Sequence, residues 1–161
     1  MIPLLQLLSI ASCALICYQD FKERTVFWFL FPILGISIGI MHYLYVETPL
    51  FIIYITINFL LTSLILLLLY LYTKLIRKVV FLNHSFGLGD LLFFYAIGFG
   101  FPTITFVVIF STSVLFSLLV YLGIKKSLKQ NTVPLAGLMG LFLICVFAIS
   151  FFKSTPSLYL N

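Results

Sequence analysis

The charged residues of this chain all fall outside five long runs: Ile2 to Gln19, Val26 to Val46, Thr48 to Thr73, Leu91 to Ile124 and Gln130 to Phe152. Each reaches or exceeds the roughly 20 residues that a bilayer-crossing helix needs, the first only just. A chain with 63% apolar and 8% charged residues and a mean hydropathy of +1.27 has too little polar surface to cover a water-soluble globule. Lipid must face much of it. The pattern predicts an all-α integral membrane protein whose first partner is the lipid bilayer.

The fourth run is too long for one crossing, because its residues would extend about 51 Å at ~1.5 Å per residue. Gly98, Gly100 and Pro102 offer a break. Glycine loosens a helix, and proline removes a backbone donor and disfavours helix at the residue before it. Division into a short helix near 88–101 and a longer one near 103–124 makes six transmembrane helices, forming a single domain over 1–161.

Basic residues orient these spans. Lys22 and Arg24 follow the first, Lys74, Arg77 and Lys78 the third, and Lys125, Lys126 and Lys129 the fifth. By the positive-inside rule those loops are cytoplasmic and both termini are outside. The net charge of +5 then follows from topology and contact with anionic headgroups, and nucleic acid is not an expected partner. Residues 1–19 lack the basic start of a secretory signal, which favours an uncleaved first helix. Ile10-Ala11-Ser12-Cys13 resembles a lipoprotein cleavage site, but the short preceding apolar run and the missing basic residues argue against that use.

Metal chemistry is not expected. Cys13 and Cys17 share a helix face, Cys145 lies in the last span, and no C-x-x-C pair exists. His42 and His84 are far apart and on opposite sides of the expected membrane.

The two aspartates, Asp20 and Asp90, remain as the candidates for chemistry. Asp20 ends the first span going inward and Asp90 opens the fourth coming out, so both belong at the cytoplasmic face. On this reading they can meet only if helices one and four are neighbours. Peptide hydrolysis needs one group to take the proton of water while another donates to the carbonyl oxygen. Two aspartates sharing a proton do both, since like charges a few ångströms apart cannot both ionise comfortably. Gly87 and Gly89, two glycines spaced by one residue before Asp90, are expected to allow unusual backbone conformations and the close approach of a substrate strand.

The run Gly87-Leu88-Gly89-Asp90 at the cytoplasmic start of a fourth helix, with an aspartate after the first helix, resembles the type IV prepilin peptidases, a family of G-x-G-D membrane aspartyl proteases. Asp20-Phe21-Lys22-Glu23-Arg24 is similar to the family's D-x-x-x-R pattern. Ala96-Ile97-Gly98 resembles the small-residue stretch after G-x-G-D, and Val133-Pro134-Leu135-Ala136-Gly137 resembles the segment opening the last helix. The resemblance implies that Asp20 and Asp90 are the catalytic pair and that Gly87, Gly89 and Arg24 bind substrate or shape the site. It implies a prepilin or pilin-like precursor as partner, cut at the cytoplasmic face of a bacterial inner membrane without metal or organic cofactor. Val26-Phe27-Trp28 stands where the family usually has I-P-N, and Leu92 where a lysine is common. The cysteine-containing loop linked to methylation is absent, which points to the short, cleavage-only branch.

Other readings stand beside this one. Asp20 can belong to a solvated turn, Asp90 can cap a helix, and Arg24 can serve topology alone. Glu23 reads as a solvated neighbour of Lys22 or Arg24, His84 as a loop residue and Trp28 as an interfacial anchor. Asn58 is expected to bond another helix, and Gly35 and Gly39 to mark a close helix contact. An inactive relative that binds pilin-like helices and a small ion or solute transporter are the alternative functions. No span carries a charge near its middle, which weighs against the transporter.

Overall fold

The computed structural model describes residues 1–77, 86–125, 133–152 and 158–159. His84 and the loop residues Lys78, Lys126, Lys129 and Lys153 lie outside them. Among the described residues the chain is all-helical: α1 (Ile2–Lys22), α2 (Leu30–Tyr45), α3 (Thr48–Tyr72), α4 (Leu88–Gly98), α5 (Thr103–Ile124) and α6 (Leu135–Phe152). α3 passes directly into a π-helical turn, Thr73–Arg77. α1, α3 with its extension to Leu75, and α5 are long and apolar enough to cross a membrane, whereas α2, α4 and α6 are shorter apolar helices.

Prolines explain several ends. Pro3 and Pro49 stand in the first turns of α1 and α3, where a missing N–H costs nothing. Pro134 delays α6 to Leu135, later than the run from Gln130 suggests, because helix is disfavoured immediately before a proline. α2 likewise starts at Leu30 and not at Val26, since Phe27, Trp28 and Phe29 belong to an exposed connection from α1.

The expected break in the fourth run is present. Phe99 and Gly100 donate to the carbonyls of Ala96 and Ile97, tightening the end of α4, and α5 begins after Pro102. Carbonyls freed by the break find side-chain donors in neighbouring helices. Asn58 Nδ2 donates to Gly98 O at 3.0 Å and Phe101 O at 2.9 Å, as the helix-bonding reading of Asn58 requires. His42 Nδ1 lies 3.0 Å from Phe99 O. Irregular backbone at membrane depth survives only where such partners exist.

Between helices in lipid, close packing and interhelical hydrogen bonds replace the hydrophobic effect as the source of attraction. Gly35 and Gly39 of α2 supply close packing: added Cβ atoms would stand 3.5 Å from the Ala96 backbone of α4 and 3.4 Å from Phe99 at its C-cap. Ser9 and Ser37 join α1 to α2 through a 2.9 Å hydroxyl contact. Phe31, Phe93, Phe101, Phe106 and Phe147 fill the centre.

α1 packs against α2 and α6, and α4 packs against α2, α3, α5 and α6. α1 and α4 do not pack against each other. The expectation that the two aspartates require neighbouring first and fourth helices is thus overturned: α6 touches both and brings their ends together.

Candidate active site

Asp20 lies in the last turn of α1 and Asp90 in the first turn of α4. Both are partly exposed. Both carboxylates bind the start of α6, where the first amides of any helix lack an intrahelical acceptor. Gly137 N–H donates to Asp20 Oδ2 at 2.7 Å, and Ala136 N–H donates to Asp90 Oδ1 at 2.8 Å. Successive Cα atoms are ~3.8 Å apart, so acceptors on successive amides lie within about 10 Å of each other. The two carboxylates also interact electrostatically.

Glycines make this approach possible. A Cβ on Gly137 would stand 3.0 Å from Asp20 Oδ2 and 3.4 Å from the Cys17 backbone, and one on Gly140 would stand 3.3 Å from Cys13 O. α1 and α6 therefore meet nearly backbone to backbone beside the site.

Gly87 and Gly89 act through space and not through unusual dihedrals, since among the described residues no glycine has a positive φ. The expectation of a special backbone conformation there is corrected accordingly. Gly87 is the N-cap of α4, and a Cβ on it would come within 2.9 Å of Asp90 Oδ2. Its backbone thus lies beside the Asp90 carboxylate, at the third helical position of α4. Gly89 accommodates Phe31, whose Cζ would be 3.4 Å from a Cβ there.

Arg24 follows the C-cap Glu23 of α1 with φ 56°, a left-handed conformation that non-glycine residues adopt uncommonly. Gln19 steadies this turn, its backbone carbonyl accepting from Glu23 N–H at 2.8 Å and its Oε1 from Phe27 N–H at 3.0 Å. The Arg24 charge acts on both carboxylates. Glu23 pairs at 4.0 Å with Lys22 on the exposed side, as a solvated neighbour would. Trp28 is 69% exposed on the same connection, leaving its indole on the outer surface.

Ala136 and Gly137 are the site members that the sequence reading missed. Val133 to Gly137 is singled out there only as a segment opening the last helix. The usable signal was Pro134 followed by small residues at the head of an apolar run, which marks a helix start whose free amides need acceptors.

Leu92, one turn beyond the start of α4, lines an apolar groove of about 530 Å³ with Phe31, Gly35, Gly39, Tyr95 and Phe99. Among the described residues no three His, Cys, Asp or Glu side chains gather as a metal site would require. The chemistry available is that of two carboxylates, a guanidinium and the amide end of a helix. No protein-family model, curated protein or solved structure matches this chain.

Proposed function

We propose that the chain is a membrane aspartyl endopeptidase that removes the leader from prepilin or pilin-like precursors, using Asp20 and Asp90 and a water molecule. The observation that carries this reading is the pair of hydrogen bonds from successive α6 amides to carboxylates of two other helices. In the reaction, the ionised carboxylate takes a proton from water as the water oxygen attacks the peptide carbon. The protonated carboxylate donates to the carbonyl oxygen. The amides of Ala136 and Gly137 hold the pair in register, leaving the second oxygen of each for these transfers.

Six spans with both termini outside belong to the same proposal, in a bacterial inner membrane. The end of α1, the start of α4 and the start of α6 share one level, which is what alternate crossings of the bilayer require. The end of α4 meets α2 through His42 at the opposite end of that helix. Residues joining α1 to α2 would then face the cytoplasm, where a precursor's basic leader lies in water and its apolar helix lies in lipid.

The same two bonds favour one alternative. Carboxylates that satisfy helix amides are doing a structural task, and an inactive relative that binds pilin-like helices would retain them. Co-expression with pilin-like precursors, scored for leader removal, separates the two. Cleavage by the native chain that disappears in both Asp20→Asn and Asp90→Asn supports the peptidase. Cleavage kept by either variant removes that aspartate from the chemistry, and precursor association without cleavage supports the binding factor.

A further inference from the structure

We propose that His42, at the far end of α4 from the dyad, is a positioning residue whose hydrogen bond to Phe99 O fixes where Asp90 stands relative to Asp20. The assignment rests on the peptidase reading and adds to it the contact that sets the spacing of the two carboxylates.

Interhelical hydrogen bonds form a closed ring through α1, α6, α4 and α2. Gly137 of α6 donates to Asp20 of α1, and Ala136 of α6 donates to Asp90 of α4. His42 of α2 meets the carbonyl of Phe99 at the end of α4, and Ser37 of α2 meets Ser9 of α1. α1 and α4 do not pack together, so the spacing of their aspartates is set by α6 on one side and α2 on the other. A carbonyl only accepts, so the His42 nitrogen facing it, Nδ1, carries the proton. The imidazole is completely buried and its Nε2 is enclosed without a hydrogen-bond partner, which leaves the bond to Phe99 as its polar contact.

Asn58 holds the same turn through Gly98 O and Phe101 O, but it stands on α3, which packs against neither α1 nor α6. It steadies the turn without referring it to Asp20. His42 does refer it, because α2 packs directly on α1. Packing leaves α4 room beside α2, since the groove of about 530 Å³ lies along Leu92, Tyr95 and Phe99. Apolar contact is non-directional, whereas an N–H···O bond weakens outside a narrow range of length and angle. From Asp90 to Phe99 is about 14 Å along a helix at ~1.5 Å per residue, and a helix that short moves as one body. Without the His42 donor, Phe99 O is an unpaired carbonyl in apolar surroundings, and the end of α4 shifts until another donor meets it. Asp90 shifts with it.

The test measures kcat, KM and their pH dependence for the purified full-length chain on a pilin-like precursor that it cleaves. His42→Phe keeps a buried ring and removes the donor. It is expected to lower kcat by roughly 10²-fold with KM little changed, the effect of misplacing a reacting group by about 1 Å. The interval between the acid and basic limbs of its pH–rate profile is expected to change, because coupling between carboxylates depends on their distance; a mere loss of folded protein would leave that interval as it is. His42→Asn loses the ring but keeps an N–H donor bonded to Cγ, as Nδ1 is, and is expected to hold kcat within about threefold of native. In a chain with its cysteines replaced by serine, spin labels at the exposed Glu23 and Leu88 read the spacing of the two helix ends without any cleavage. That distance distribution is expected to shift or broaden in His42→Phe and to match native in His42→Asn. Native label distances in His42→Phe, or a kcat in it within about threefold of native, would overturn the assignment. So would an equal loss in His42→Asn, which would credit the ring and not the donor; that variant decides alone if His42→Phe does not fold. In each case, loss of cleavage in Asp20→Asn leaves the dyad standing. A native chain that cuts no precursor overturns the peptidase reading, and the label distances then decide by themselves whether His42 sets the spacing.

Discussion

Asp20 and Asp90 accept hydrogen bonds from consecutive backbone amides, those of Gly137 and Ala136, although their own helices do not pack together. The start of α6 is thus the common support of both carboxylates. On the proposed reading each aspartate has two separable tasks there: accepting a hydrogen bond from an amide, and handling protons at its other oxygen.

Asparagine and alanine divide those tasks. An asparagine oxygen still accepts from the amide, so Asp20→Asn and Asp90→Asn are expected to keep the thermal midpoint of the native chain in detergent while losing cleavage. Asp20→Ala and Asp90→Ala should lose cleavage and, in addition, about 0.5–2 kcal/mol of stability, the cost of deleting a helix cap. Equal destabilisation by both substitutions would show that charge, and not acceptance, supports α6.

Gly137 is expected to tolerate no side chain. A Cβ would meet Asp20 Oδ2 at 3.0 Å and the Cys17 backbone at 3.4 Å, and backbone cannot step aside as a flexible side chain can. Gly137→Ala should cost about 1–3 kcal/mol, the range for overpacking, with loss of cleavage. Gly123, where a Cβ meets nothing within 4 Å, is the control. Gly123→Ala should be neutral or stabilising by up to about 1 kcal/mol through helix propensity. Thermal denaturation of both variants checks the pair.

The dyad should show a bell-shaped dependence of kcat/KM on pH. Rate rises as the first carboxylate of the pair ionises and becomes a base, and falls when the second loses the proton it must donate. The two limbs belong to the pair and not to either residue. Precursor cleavage measured from acid to weakly alkaline pH tests this, and a single sigmoid would mean that one carboxylate acts alone.

Topology has its own readout. In a chain with Cys13, Cys17 and Cys145 replaced by serine, a cysteine at Thr25 should react with a membrane-impermeant maleimide only from the cytoplasmic side. A cysteine at Glu47, between α2 and α3, should react only from the other side. Labelling of both from one side would remove α2 as a crossing.

Much of the helical framework is legible in the residues alone, for a local reason. Uncharged runs must bond their own backbone in lipid, so they are helices, and proline and glycine at 98–102 must interrupt one. Asn58 was recognisable for a similar reason, since an amide within an apolar span has to bond a neighbour. The glycines misled where their purpose depended on what stands opposite them: Gly87 and Gly89 make room for Asp90 and Phe31 and do not bend the chain.

Sequence by itself determined that the chain is helical and apolar enough for a membrane, where its fourth run breaks, and that its two aspartates sit at helix ends. Only the tertiary structure decided how those aspartates come together. Backbone amides carry the contact, and an amide is the same group at every non-proline residue, so no residue type announces which one will be free. Freedom arises at Ala136 and Gly137 because a helix begins there, and access arises because Gly137 has no side chain and α1 lies against it.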